Sequence, residues 1–161
     1  MKLNIILISL LLALSSCGYS MRGSINIPSS IKSVSIISSE YSELVNILNS
    51  SLISSNIKPS TSKSDNIYRI VILSEEFNRR QLSINISGRV NEYELIYSVN
   101  FELKVPNEKS IKDKITLYRD YSFDENNVMG NSDREGDIKK GMMSTASTLI
   151  FNRLVASIQK Q

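Results

Sequence analysis

The clearest periodic signal lies between residues 93 and 105, where Tyr93, Leu95, Tyr97, Val99, Phe101, Leu103 and Val105 hold every odd position. The even positions are Glu92, Glu94, Ser98, Asn100, Glu102 and Lys104, with Ile96 the one apolar exception. Successive side chains of a strand point to opposite faces, so this alternation predicts a strand that is apolar on one side and wet on the other. Pro106-Asn107 ends it, and 111–123 supplies a further strand with Ile115, Leu117, Tyr121 and Phe123 on one parity. Before it, 67–76 is β-branched, and Leu82, Ile84 and Ile86 alternate with Ser83, Asn85 and Ser87, which together predict one long or broken strand turning at Gly88. Residues 31–38 (IKSVSIIS) read as a first strand.

The period changes in two places. From Glu40 to Ser54, Tyr41, Leu44, Val45, Leu48 and Leu52 recur at three- and four-residue intervals, which predicts an amphipathic helix capped by Ser38 or Ser39. The stretch 58–66, KPSTSKSDN, reads as a loop, as does 124–132, DENNVMGNS. Ser132 and Glu135 have the spacing of a capping box and predict that a second helix starts there. Its buried stripe is Ile138, Met142, Ala146 and Leu149, broadened by Met143, Ile150 and Leu154, while Gly136 and Gly141 weaken its first turns. The order β-α-β-β-β-α, with a one-sided sheet that needs a cover, predicts an α+β two-layer sandwich: two helices on one face of a roughly four-stranded, mainly antiparallel sheet.

The N-terminus adds a compartment. Met1 and Lys2 precede an almost unbroken apolar run from Leu3 to Leu14, then Ser15 and Ser16, the order of a secretory signal. The run is shorter than the ~20 helical residues that span a bilayer core. Leu14-Ser15-Ser16-Cys17 reads as a bacterial lipobox, in which Cys17 is acylated and becomes the first mature residue. Cys17 is the only cysteine, so no disulfide partner exists, and with no His in the chain and Arg22 its nearest cation it lacks the surroundings of a reactive thiol. Acylation is physically effective, since each buried methylene contributes about 0.8 kcal/mol and two or more chains anchor stably. The expected organisation is a signal peptide over 1–16, a lipidated tether over 17–30 interrupted by Gly23 and Pro28, and one periplasmic domain over 31–161.

Charge and composition then exclude more than they select. The whole chain carries +3, and loss of Lys2 leaves +2, too balanced for a nucleic-acid footprint. Without His, and with one cysteine, the usual zinc ligand sets and Ser-His or Cys-His pairs cannot be built. The six glycines form neither a dinucleotide nor a Walker loop, and Glu75-Glu76 and Asp124-Glu125 read as solvated acids. No enzymatic activity, metal or cofactor is expected. Arg79, Arg80, Arg89 and Arg134 stand near expected strand, hairpin or helix ends, and their planar forks suit oxyanions such as phosphate. The plain alternative for each is a solvated surface charge.

Several stretches, in order, resemble the LptE family of LPS-assembly lipoproteins of Gram-negative outer membranes. They are Cys17-Gly18-Tyr19-Ser20-Met21-Arg22, Ile27-Pro28-Ser29, Asn91-Glu92-Tyr93-Glu94-Leu95 with Val99-Asn100, Tyr118 to Asp124, and Asp133 to Ile138. At the position where that family carries a basic residue before its last helix, this chain has Ser132, with Arg134 two residues on. The resemblance implies a lipoprotein tethered through Cys17 to the outer membrane and facing the periplasm. It further implies a body that plugs and helps assemble the LPS-translocating barrel LptD and contacts LPS, for which the four arginines are the candidate residues. A polar, water-filled barrel lumen suits a plug rich in Ser, Asn and Arg. A reading of a different class fits the same features: an auxiliary lipoprotein regulating an envelope ABC transporter or a peptidoglycan synthase.

Overall fold

The computed structural model describes residue 28, residues 31–61, residue 64 and residues 66–159. The expected signal peptide, Cys17 and nearly all of the expected tether therefore lie outside the described residues. The order of elements is β1 (Ser33–Ser38), α1 (Glu43–Ser54), β2 (Lys58–Ser60), β3 (Tyr68–Ile84), β4 (Val90–Lys104), β5 (Ile111–Ser122) and α2 (Val128–Ile158). The sheet has five strands in the order β2-β1-β3-β4-β5. β1 runs parallel to both β2 and β3, and β3, β4 and β5 are successive antiparallel neighbours. The expected α+β sandwich with both helices on the apolar face is thus present, as a mixed and mostly antiparallel sheet.

The extra strand is a correction to the loop expected over 58–66. Lys58, Pro59 and Ser60 pair with Ser33, Val34 and Ser35. Three residues carry no side-chain period, and Pro59 argues against a strand interior. At a sheet edge its missing N–H leaves no ladder bond unmade.

The core lies between the helices and one sheet face. β4 contributes Leu95, Tyr97, Val99, Phe101 and Leu103, α1 contributes Leu44, Leu48 and Leu52, and α2 contributes Met142, Met143, Ala146, Ile150, Phe151 and Leu154. The β4 alternation and most of the α2 stripe are as the sequence predicts. Phe151 is the missed member, although it stands three residues before Leu154 and helical spacing alone places it on the same stripe.

Both helix starts differ from expectation. α1 begins three residues late: Ser42 is its cap, accepting from the Val45 N–H at 3.3 Å and donating to Glu75 Oε2 of β3 at 2.5 Å. Tyr41 is left outside the helix and 90% exposed, not on the buried stripe. α2 begins five residues early. Its cap is Asn127, whose Oδ1 accepts from the Gly130 N–H at 3.0 Å. Asn131 ties the preceding loop by accepting from the Asp124 N–H and donating to the Asp124 carbonyl, at 3.1 and 2.6 Å. Ser132 and Glu135 form no capping box and lie inside the helix, as do Gly136 and Gly141.

Candidate functional site

A bulge in β3 decides which arginine faces which way. Ile70 and Ile72 pair with Leu103 and Phe101 on the core face, the register shifts at Leu73, and from there Glu75, Phe77 and Arg79 pair with Val99, Tyr97 and Leu95. The extra residue exchanges the two faces of the strand. Even positions point inward before it and odd positions after it, which carries Arg79 to the helix side and Arg80 to the bare side. A second shift, at Leu82, ends the regular pairing near the hairpin tip. Leu82, Ile84 and Ile86 are 44%, 61% and 108% exposed, so among the described residues nothing buries the alternation that predicts a half-buried strand there.

Under the first turns of α2, the sheet's distal end gathers aromatic and charged groups around a cavity of about 470 Å³. Tyr93 lies against Tyr121, with ring centroids 5.9 Å apart, and meets Phe123 edge-on at 5.2 Å. The Arg79 guanidinium sits 4.4 Å above the Tyr93 ring and donates to Glu135 Oε2 at 3.0 Å. The same oxygen accepts from the Tyr121 hydroxyl at 2.8 Å, and Lys139 Nζ reaches Glu135 Oε1 at 2.7 Å while lying over the Phe77 ring. Glu135 is the hub.

The electrostatics follow from that arrangement. Burial pushes the Glu135 carboxyl upward, but hydrogen bonds from Lys139 and Tyr121, the Lys139 charge and Arg79 outweigh it, and its pKa is lowered. Burial, then the bond to Glu135, raises the Tyr121 phenol. Tyr121 and Glu135 raise Arg79 against an opposing effect of burial. The lowered Glu135 stays a carboxylate, the raised Tyr121 stays a phenol and the raised Arg79 stays a cation in neutral solution, so these three position and bind without exchanging protons. Among the described residues no group of side chains is placed to hold a metal.

The four expected arginines do not form one patch. Arg79 belongs to the cavity. Arg89, at the β3–β4 turn, pairs with Glu125 Oε2 at 2.7 Å, and Arg134, on α2, donates to the Ser122 carbonyl at 3.0 Å. These three therefore surround the chain as it leaves β5 at residues 121–125. Arg80 sits apart on the outer sheet face, paired with Glu94 Oε2 at 2.5 Å. Sequence reading missed Glu135, Lys139, Tyr93 and Phe123. Its spacing from Ser132 assigns Glu135 to a cap, and nothing in its neighbours signals a partner 56 residues away.

Among the described residues no element covers the outer face of the sheet, which is mostly polar apart from Ile96 and Tyr118. Besides Arg80–Glu94 it carries Ser98 and Thr116 at 3.3 Å, Asn100 donating to Ser74 at 2.7 Å, and Ser83 donating to Glu92 at 2.7 Å. Among the described residues no helix is long and apolar enough to cross a membrane.

The family model "LptE: Lipopolysaccharide-assembly" matches residues 31–154, which takes in every strand and most of α2. The fold is similar to the crystal structure of rare lipoprotein B from Shewanella oneidensis, at 27% identity and a TM-score of 0.68 over 80% of this chain and 94% of that one. It is similar also to lipoprotein B from Nitrosomonas europaea, solved by NMR, at 24% identity and a TM-score of 0.71 over 88% and 93% of the two chains. A minor lipoprotein from Acinetobacter baumannii has the same fold, at 19% identity and a TM-score of 0.61 over 78% and 92%. No curated protein matches the chain.

Proposed function

The chain belongs to the LptE family of lipopolysaccharide assembly, and from that premise we propose that it is an outer-membrane lipoprotein, cleaved after Ser16 and acylated on Cys17, that plugs the barrel LptD and meets LPS at its hairpin end. Membership assigns it to a non-enzymatic lipoprotein family of the Gram-negative envelope. The observation that carries the reading is the match over 31–154, and it favours this role over regulation of a transporter or a peptidoglycan synthase.

The geometry supports the finer parts. A plug must present polar groups to a wet lumen, and the outer sheet face does so over β3, β4 and β5. Near the hairpin end two guanidinium groups could meet phosphate, Arg89 and Arg134, which are held by Glu125 and by the Ser122 carbonyl three residues before it. Arg89 is 67% exposed in its side chain and held by one carboxylate, Glu125. An exposed pair of that kind contributes little in water and is readily exchanged, whereas a phosphate offers the guanidinium bidentate, doubly charged contact. Arg80, on the other face and engaged with Glu94, would meet a different part of the surroundings.

Affinity purification of the full-length chain from detergent-solubilised envelope tests the partner: recovery of a large outer-membrane β-barrel is expected, and an inner-membrane complex in its place would overturn the plug. Cys17→Ser should abolish fatty-acid labelling. Arg89→Glu and Arg134→Glu should each weaken LPS retention about tenfold, with Arg80→Glu the control that retains it. Equal retention in all three variants would remove the hairpin end as the contact.

A further inference from the structure

Among the described residues no strand pairs with the outer edge of β5, and side chains close it. The Phe123 N–H donates to the Asn91 carbonyl at 2.9 Å, continuing the ladder that runs from Leu103–Ile111 to Glu92–Ser122. Backbone groups of successive residues in an antiparallel strand face opposite neighbours. Odd residues of β5 therefore bond to β4, and the N–H and C=O groups of even residues point out to the open edge. Three of those outward carbonyls are taken by guanidinium groups: Lys114 by Arg153 at 3.0 Å, Tyr118 by Arg119 at 2.9 Å and Ser122 by Arg134 at 3.0 Å. The outward Lys114 N–H is taken as well, by Asp113 Oδ1 at 2.7 Å, and Asp113 is ion-paired with Arg153.

The caps fall on every fourth residue, which is alternate outward positions, so no two neighbouring outward carbonyls are open. The opposite edge needs no such cover, since β2 has three residues and Pro59 has no N–H to offer.

We propose that the β5 edge is a strand-pairing interface for a second copy of this chain, held shut by Arg119, Arg134 and Arg153. The edge is self-complementary. Antiparallel pairing about a two-fold at Leu117 sets Thr116 against Tyr118 of the other copy and Lys114 against Asp120, twice, and these are outward-facing residues able to exchange both backbone bonds. The Arg153 and Arg119 caps lie on those two pairs. An uncovered strand edge of this length recruits another strand. The caps stop that while leaving the carbonyls hydrogen-bonded.

The test uses the full-length protein in detergent, with molar mass read by light scattering across a dilution series. The native chain is expected to be monomeric, and R119A/R134A/R153A to self-associate at least about tenfold more tightly. Adding Thr116→Pro to that variant removes an outward N–H that β4 does not use, and should restore the monomer. A folded triple variant that stays monomeric overturns the proposal, and so does association that Thr116→Pro leaves intact, because the contact would then lie elsewhere. If circular dichroism shows the triple variant unfolded, R119A/R153A is read by the same two outcomes, since its caps cover the central pairs.

Discussion

Glu135 carries the sharpest consequence of a single side chain. Its pKa is lowered in the fold because Lys139, Tyr121 and Arg79 favour the charged form more than burial opposes it. Its stabilising contribution is then fully present above the carboxyl's ordinary value, near 4.3, and is lost as pH falls through the lowered folded value. In that acid window the unfolded chain binds the proton and the folded chain does not, so stability rises with pH. Glu135→Gln removes the charge but not the shape. It is expected to cost about 1.5–3 kcal/mol at neutral pH, the range for hydrogen bonds to a charged group, and to flatten the stability profile below the carboxyl's ordinary range. Urea unfolding from neutral pH down through that acid window reads both effects, and a variant profile parallel to the native one would show that Glu135 is not the titrating group. Tyr121→Phe removes one of the three donors to the same carboxylate and should reproduce part of the loss with the acid slope retained.

The first turns of α2 set local capping signals against one another. Ser132 and Glu135 carry the capping-box pattern, yet Glu135 is claimed by the sheet, and the helix is started by Asn127 with Asn131 fastening the loop. Asn127→Ala should therefore cost about 1 kcal/mol, the worth of an N-cap, and Ser132→Ala close to nothing. The glycines of this helix should part company in the same way. A Cβ on Gly136 or Gly141 meets nothing within 4 Å, so alanine there is expected to stabilise by up to about 1 kcal/mol. At Gly130 it would stand 2.4 Å from Asn127 Nδ2 and 2.8 Å from Oδ1, the capping oxygen. Gly130→Ala should lose the cap and gain nothing net. Thermal melts of the five single variants separate these outcomes, and a destabilised Ser132→Ala beside a neutral Asn127→Ala would reverse the assignment.

At the scale of the whole molecule, one core joins two helices to one sheet face and leaves the far end of the β3–β4 hairpin outside it. Phe151 is fully buried in that core, and Phe151→Ala should destabilise by about 3–5 kcal/mol. Because β4, α1 and α2 share the core, their slowest amides should lose protection together in this variant. The amides of 84–90, beyond the cover of the helices, should exchange quickly in the native protein already. Slow exchange at the hairpin tip of the native chain would mean that something covers Leu82, Ile84 and Ile86.

Much of this was written in the order of residues. The odd-position run from Tyr93 to Val105 had one solution, a strand with a single buried face, because side-chain direction in a strand is fixed by the backbone. The stripe from Met142 to Leu154 likewise admitted a helix on that face, and one-sidedness of both required the two layers. The absence of His and the single Cys ruled out common chemistries by composition alone. What tertiary structure decided were the features that depend on partners distant in sequence. The Leu73 bulge sends Arg79 and Arg80 to opposite faces, and it is a matter of register against β4. β2 is a strand only because β1 offers it an edge. Glu135 gathers Arg79, Tyr121 and Lys139, three groups of which only Lys139 is its neighbour on the helix. The apolar alternation of Leu82, Ile84 and Ile86 promises burial that no element among the described residues provides, since periodicity states which residues share a face and not whether anything lies against it.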